Sequence, residues 1–74
     1  MPNFVTVKKW ILEAATEHGA PMSTRRAKSL AAAWLAQPDP LDYLRLTYAD
    51  PVGESIVRRW MDYAHHMEHE GAAA

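Results

Sequence analysis

One short stretch of the chain, Ser23-Thr24-Arg25-Arg26-Ala27-Lys28, combines hydroxyl and basic side chains directly after a Gly19-Ala20-Pro21 turn. Guanidinium and ammonium groups neutralise phosphates, and an arginine also pairs with both acceptor atoms on the edge of a guanine. Serine and threonine are preferred helix N-caps, so the stretch predicts a helix with a basic beginning. Its chemistry is suited to a phosphate-rich partner.

The charged residues are divided unevenly between the two halves of the chain. Residues 1–36 contain five basic and two acidic residues, a net charge of +3. Residues 37–74 contain three basic and seven acidic residues, a net charge of −4. The total of −1 argues against broad nonspecific binding to nucleic acid, but the basic half can still form a local binding patch.

Three histidines near the C-terminus, His65, His66 and His69, have spacings that occur in zinc sites, and Asp62 lies on the same predicted helix. The chain has no cysteine to complete such a site, and His18 is distant in sequence. We therefore predict a solvated polar face without a bound metal, and we expect no cofactor.

Arg58 and Arg59 form a second basic pair. Glu54 precedes Arg58 by four residues, a spacing that predicts an ion pair on the surface of one helix. The alternative is that both arginines extend the basic surface of residues 23–28, which requires their helix to pack beside that segment.

Catalytic motifs are absent from the sequence, which contains no nucleophile elbow, glycine-rich phosphate loop or metal signature. A chain of 74 residues also has little material with which to build a water-excluding pocket. The sequence therefore predicts a protein that is not an enzyme.

The composition, 49% hydrophobic and 23% charged, is typical of one small globular domain. We assign residues 1–70 to this domain and residues 71–74 to a frayed tail. No apolar run approaches the ~20 residues of a membrane span, and the first residues lack the pattern of a signal peptide. The expected location is cytoplasmic, without a membrane partner.

Caps and breakers divide the chain into four helices, which predicts an all-α fold: a compact bundle of three main helices and one short helix. Serine, threonine or aspartate is expected to cap the start of each helix, and glycine or proline to end the first three. The predicted limits are Thr6 to Gly19, Ser23 or Thr24 to Pro38, Asp39–Pro40 to Pro51, and Asp50–Pro51 to about His69.

Apolar residues recur at helical spacing in the three long helices, and each stripe contains one tryptophan. The stripes are Val7, Trp10, Ile11, Ala14 and Ala15; Ala27, Leu30, Ala31, Trp34 and Leu35; and Ile56, Val57, Trp60, Met61, Tyr63, Ala64 and Met67. We expect the three tryptophans to meet in a common core shared by these helices, with the short third helix bridging two of them.

The first two helices resemble the helix-turn-helix family over residues 7–36. The resemblance rests on Ala15, four residues before Gly19, and on the basic start of helix two. The turn is longer than the family's by one or two residues, because Arg25 stands where the family has an apolar residue. The resemblance implies that the N-terminal end of helix two enters the major groove of double-stranded DNA. The residues that would contact DNA are Thr24, Arg25, Arg26, Lys28 and Ser29.

These features predict a small DNA-binding or transcription-regulating accessory protein of bacterial or phage type. The broad stripe of helix four also predicts an interface with a second copy or a protein partner at Trp60, Met61 and Met67, since interfaces favour these residue types.

The alternative function is a protein–protein adaptor or inhibitor. Such a protein would present the Met/Trp edge of helix four, or the alanine-rich face of helix two with Ala32 and Ala36, to its partner. The surroundings of Arg25, Arg26 and Lys28 discriminate between the two functions. Ion pairs with carboxylates of the acidic half would neutralise the patch and favour the adaptor, whereas solvent exposure would favour DNA.

Overall fold

The computed structural model describes the backbone of residues 2–48 and 50–73, and the side chains of residues 2–48 and 50–67. This part of the chain contains four helices and no strand, which confirms the predicted all-α class. The helices are α1 (Phe4–Glu17), α2 (Thr24–Leu35), α3 (Pro40–Thr47) and α4 (Pro51–Ala73).

Helix α1 begins earlier than the sequence predicts. Thr6 is not the N-cap, because the side chain of Asn3 has that role: its Oδ1 accepts a hydrogen bond from the backbone N–H of Thr6 at 2.9 Å. Asparagine is among the best capping residues, and it stands before the whole hydrophobic segment. Phe4 and Val5 therefore form the first turn, where both side chains remain exposed.

The predicted glycine end of α1 is confirmed. Gly19 has a φ of +71°, in the left-handed region that glycine adopts without strain. The N–H of Gly19 donates to the carbonyl of Thr16 at 3.1 Å, and the N–H of Ala20 donates to that of Ala15 at 2.8 Å. This pair of bonds is a Schellman motif, which satisfies the last carbonyls of the helix and turns the chain towards α2.

The other three helices begin at the predicted residues. Each start is capped by a side-chain oxygen that accepts a backbone N–H three residues further on: Ser23 from Arg26 at 3.1 Å, Asp39 from Asp42 at 3.3 Å, and Asp50 from Gly53 at 3.0 Å. Helix α4 continues to Ala73, four residues beyond the predicted end near His69. The prediction that residues 71–74 fray stays a prediction.

The four helices form a closed ring in which each packs against two neighbours. Helix α1 contacts α2 and α4, and α3 contacts the same two helices from the other side. Within the described residues, no Cα atom of α2 lies within 8 Å of one in α4. The short helix α3 therefore bridges α2 and α4, as the sequence predicts.

One hydrophobic core fills the ring. Its buried members are Val7, Ile11, Ala14, Ala15, Ala27, Ala31, Trp34, Leu44, Val52, Ile56 and Trp60. Trp10 packs against this core, so the prediction of a core shared by the three tryptophans is confirmed. Their rings nevertheless form two separate groups: Trp10 lies 6.2 Å from Trp60 and 5.8 Å from Tyr63, and Trp34 lies 6.2 Å from Tyr48.

A close backbone approach joins α3 to α4. A Cβ atom built on Gly53 would lie 1.5 Å from the carbonyl oxygen of Tyr48, the C-cap residue of α3. Only a residue without a side chain fits there. Gly53 therefore lets the first turn of α4 lie directly against the end of α3.

Candidate nucleic-acid interface

The beginning of α2 brings the predicted DNA-contacting residues together on one surface. Thr24, Arg25, Arg26, Lys28 and Ser29 are all exposed, whereas Ala27, Ala31 and Trp34 on the same helix are buried. At 100° per residue, Arg25 and Ser29 lie opposite the buried side, and Arg26 and Lys28 lie on the two flanks. We call these five exposed residues the α2 basic surface.

The three cations of the α2 basic surface have no acidic partner among the described side chains. Among the described side chains, no carboxylate oxygen lies within 4.0 Å of Arg25, Arg26 or Lys28. Ion pairs form elsewhere in the molecule, between Lys9 and Glu13, Arg45 and Asp42, and Arg59 and Glu17. The described carboxylates of the acidic half therefore leave the α2 basic surface unneutralised.

The charges at the start of α2 oppose the helix dipole. The first turn of α2 contains no acidic residue, although the N-terminal end of a helix carries partial positive charge. Helices α3 and α4 follow the usual arrangement, with Asp42 and Glu54 in their first turns. Each cation near the start of an exposed helix costs about 0.3–1 kcal/mol at low ionic strength. Helix α2 thus concentrates positive charge at its beginning.

The outer face of α2 beyond the basic surface carries only small side chains. Ala32, Ala33 and Ala36 are exposed and extend no further than a Cβ atom. Another surface can therefore approach the backbone of α2 closely along its second half. The structure thus has the predicted arrangement, with the apolar stripe of α2 on one side of the helix and the exposed alanine-rich face on the other.

The connection between α1 and α2 differs in length from that of a helix-turn-helix. Six residues, 18–23, separate the two helices, whereas the motif uses a turn of three or four. Ala14 and Ala15 of α1 and Ala27 and Ala31 of α2 are fully buried, and such small residues permit close helix packing. The two helices therefore bury small residues, as the motif requires, but are joined by a longer turn.

The second basic pair does not behave as the sequence predicts. Arg58 is exposed and forms no ion pair with Glu54 within 4.0 Å in the described part of the chain. Arg59 instead donates to Oε1 of Glu17 at 2.5 Å and to the hydroxyl of Ser55, which ties α4 to α1. The Glu17–Arg59 contact spans 42 positions, so local helical spacing could not identify it. Since α4 does not approach α2, neither arginine extends the α2 basic surface.

The predicted interface on α4 is only partly available at the surface. Trp60 is 5% exposed and belongs to the core, so little of its ring is at the surface, and its contribution to an interface stays a prediction. Met61 and Met67 are 53% and 47% exposed. The two methionines are thus the members of this set that can contact another molecule.

The described residues contain no group of three or more histidine or acidic side chains arranged to hold a metal. The side chain of His69, which belongs to the predicted histidine face, lies outside the described part. No helix in the described part is long and apolar enough to cross a membrane.

A groove lies between α3 and α4, and no pattern in the sequence predicts it. Its volume is about 570 Å³, and it is lined by Leu44, Arg45, Tyr48, Gly53, Glu54, Val57, Arg58, Met61 and Asp62. We call it the α3–α4 groove. Periodicity places Val57 and Met61 on the apolar stripe of α4, but the groove depends on how α3 crosses that stripe, which the sequence does not specify.

The chain was compared with known protein families, curated proteins and solved structures, and no match was found.

Proposed function

We propose that the protein binds double-stranded DNA through the α2 basic surface and acts as a small DNA-binding or transcription-regulating accessory protein in the cytoplasm. The observation that carries the proposal is the set of three solvent-facing cations at the start of α2 without an acidic partner in the described structure. This arrangement lowers the stability of α2 unless an anion binds.

A phosphate group is well suited to this position. The free N–H groups and the dipole at a helix start attract anions, and the side chains of Arg25, Arg26 and Lys28 add three positive charges. The same charges that oppose the dipole in the free protein become favourable when a phosphate lies beside them. A phosphate-rich ligand therefore accounts for a local arrangement that otherwise only destabilises the helix.

Each residue of the α2 basic surface has a distinct role in the proposed complex. Arg25 faces directly away from the core, so its guanidinium is best placed to pair with a guanine in the major groove. Arg26 and Lys28 lie on the flanks, where the phosphates of the two groove walls would be. The bare face from Ala32 to Ala36 allows the second half of the helix to approach the duplex.

The first test is fluorescence anisotropy with labelled duplex DNA at ~50 and ~200 mM salt. Binding should weaken steeply with salt, because each neutralised phosphate contributes a slope of about −0.9 to log K against log salt. The double variant Arg25→Ala/Lys28→Ala should lose binding and keep its helical circular dichroism spectrum, since both side chains are exposed.

The matched control is Lys9→Ala. It also removes an exposed cation, but from α1 and outside both the α2 basic surface and the α3–α4 groove, where its ammonium lies 4.0 Å from Glu13. Its DNA affinity should stay near that of the original protein. Equal losses of DNA affinity in the control and the α2 variant would show that only the overall charge matters. An unchanged affinity of the α2 variant would refute the proposal.

The second candidate function is that of an adaptor or inhibitor, and the exposure of Met61 and Met67 favours it. Methionine adapts to differently shaped partners and is common at binding surfaces. The same titrations separate the two functions, because an adaptor would show no affinity for duplex DNA even at ~50 mM salt.

A further inference from the structure

Beside the α3–α4 groove, α4 carries an apolar stripe that is only partly covered by the rest of the chain. Val57 is half-buried, while Met61 and Ala64 are exposed. Their spacing of four and then three residues is that of a helix packing against a second helix. Helix α3 covers only part of this stripe, so a further helix can pack beside it.

Charges of both signs, unpaired within the described structure, flank the same stripe. Glu54, Arg58 and Asp62 follow one another at intervals of four residues and all line the groove. The spacing permits ion pairs within the helix, yet none of the three forms one within 4.0 Å in the described structure. These three charges are therefore available to a partner.

We propose that the occupant of this surface is α4 of a second copy of the chain, packed antiparallel across a two-fold axis midway between Arg58 and Asp62, one residue from Met61. Residues equidistant from such an axis face each other. Arg58 of each copy then lies opposite Asp62 of the other, so the contact contains two reciprocal charge pairs. Met61 lies close to the axis and beside its symmetry equivalent, so its side chain, which is 53% exposed, would be covered.

The charge pattern favours a second copy over a partner of one sign. The groove is lined by two arginines, Arg45 and Arg58, and by two carboxylates, Glu54 and Asp62. A purely acidic or purely basic ligand would meet repulsion from one of these pairs. An identical surface rotated by 180° sets Arg58 of each copy against Asp62 of the other. The guanidinium of Arg45, which lies 3.9 Å from the Met61 sulfur, is already paired with Asp42 at 3.4 Å.

The proposed contact is small. A stable interface typically buries about 800 Å² on each partner, whereas the whole accessible surface of this chain is 4909 Å². One helix and part of a groove supply less than that typical area, so we expect a concentration-dependent dimer. The proposal involves α4 and does not depend on whether α2 binds DNA.

The absence of cysteine permits a direct test by cross-linking. In the variant Met61→Cys the two new thiols face each other across the axis, so mild oxidation at high micromolar concentration should convert most of the protein into a disulfide-linked dimer. Interaxial distances of 8–10 Å bring such Cα atoms within disulfide range. The matched control is Leu46→Cys on α3, at a side chain that is 85% exposed and outside the groove lining.

Selective cross-linking at position 61 supports the proposal. Equal cross-linking at both positions would indicate random collision and would overturn it, as would the absence of cross-linking at position 61.

Charge reversal followed by sedimentation equilibrium provides the second test. Arg58→Asp places two carboxylates opposite each other and Asp62→Arg places two guanidinium groups opposite each other, so each change should weaken dimerisation by at least about tenfold. The double variant Arg58→Asp/Asp62→Arg restores opposite charges and should recover the dimer. Failure of the double variant to recover it, with circular dichroism showing an intact fold, would refute the two-fold register.

A monomeric original protein at high micromolar concentration would also refute it. A loss of DNA affinity in the α2 variants, with dimerisation intact, would concern only the DNA proposal.

Discussion

The side chain of Arg25 combines a proposed function with a cost to stability. It stands in the first turn of α2, where the helix dipole favours negative charge and no acidic residue is present. We expect Arg25→Glu to raise the free energy of unfolding by about 0.5–1 kcal/mol and to abolish DNA binding. Urea unfolding at low salt and anisotropy measure the two effects.

The matched control for this change is Ala33→Glu, at an exposed position near the C-terminal end of the same helix. There a negative charge meets the negative end of the dipole, so its effect on stability should have the opposite sign. A loss of stability in Arg25→Glu would show that some favourable contact of the arginine outweighs the dipole.

Gly53 occupies a position where the backbone of α3 leaves no room for a side chain. Alanine usually stabilises a helix by about 1 kcal/mol relative to glycine. At this position its Cβ would lie 1.5 Å from the carbonyl oxygen of Tyr48, so α3 and α4 must move apart. We expect Gly53→Ala to lower the free energy of unfolding by about 3 kcal/mol, measured by urea unfolding.

Gly19→Ala is the comparison for this prediction. Its φ is +71°, but nothing lies within 4 Å of the added Cβ, so only the local strain of about 1–2 kcal/mol applies. A smaller loss at Gly53 than at Gly19 would contradict the close approach of α3 and α4.

Within single helices, the sequence predicts the features that depend on local chemistry, such as the residues at which a helix begins and ends. Asp50 and Pro51 identify the start of α4, and Gly19 identifies the end of α1, because caps and breakers act within a few residues. The sequence predicts the start of α1 too late, because Phe4 and Val5 fall outside the regular apolar stripe that begins at Val7. A helix can nevertheless include exposed apolar residues in its first turn. The need for glycine at position 53 arises only from packing, so no local pattern reveals it.

The contact between α1 and α4 depends on one large side chain. Trp60 is 5% exposed, and the centroid of its ring lies 6.2 Å from that of Trp10. Removing the indole therefore leaves a cavity between α1 and α4. We expect Trp60→Ala to lower the free energy of unfolding by about 3–5 kcal/mol, enough to unfold so small a domain. Circular dichroism during urea titration measures this loss.

The neighbouring change Met61→Ala is the control, at low protein concentration where the proposed dimer is dissociated. Met61 is 53% exposed, and surface changes are usually within about 0.5 kcal/mol. A folded Trp60→Ala protein with stability similar to this control would contradict the burial of the indole.

At the scale of the whole molecule, the ring of helices separates the two proposed binding surfaces. The division of charge between the two halves is evident from the sequence, but which charges neutralise one another depends on the ring. Glu17 of the basic half pairs with Arg59 of the acidic half, while no described carboxylate lies within 4.0 Å of the cations at the start of α2. These pairings follow from which helices become neighbours, and the sequence pattern leaves that open.

The two surfaces lead to a joint prediction about DNA affinity. A dimer joined through α4 has two α2 basic surfaces, so a duplex bound by both benefits from a high effective concentration of the second. The charge-reversed variant Arg58→Asp should therefore bind duplex DNA at least about tenfold more weakly, with a salt slope roughly half that of the original protein, because fewer phosphates are neutralised.

The double variant Arg58→Asp/Asp62→Arg separates this effect from a simple change in charge. It has the same net charge as the original protein and opposite charges across the proposed axis, so both its affinity and its salt slope should return to the original values. If Arg58→Asp dissociates the dimer but leaves the salt slope unchanged, each α2 basic surface binds DNA independently. If all three proteins have the same salt slope, the dimer contributes to stability and not to DNA binding. A direct effect of the α4 charges on DNA is not expected, because α4 does not contact α2 in the described structure.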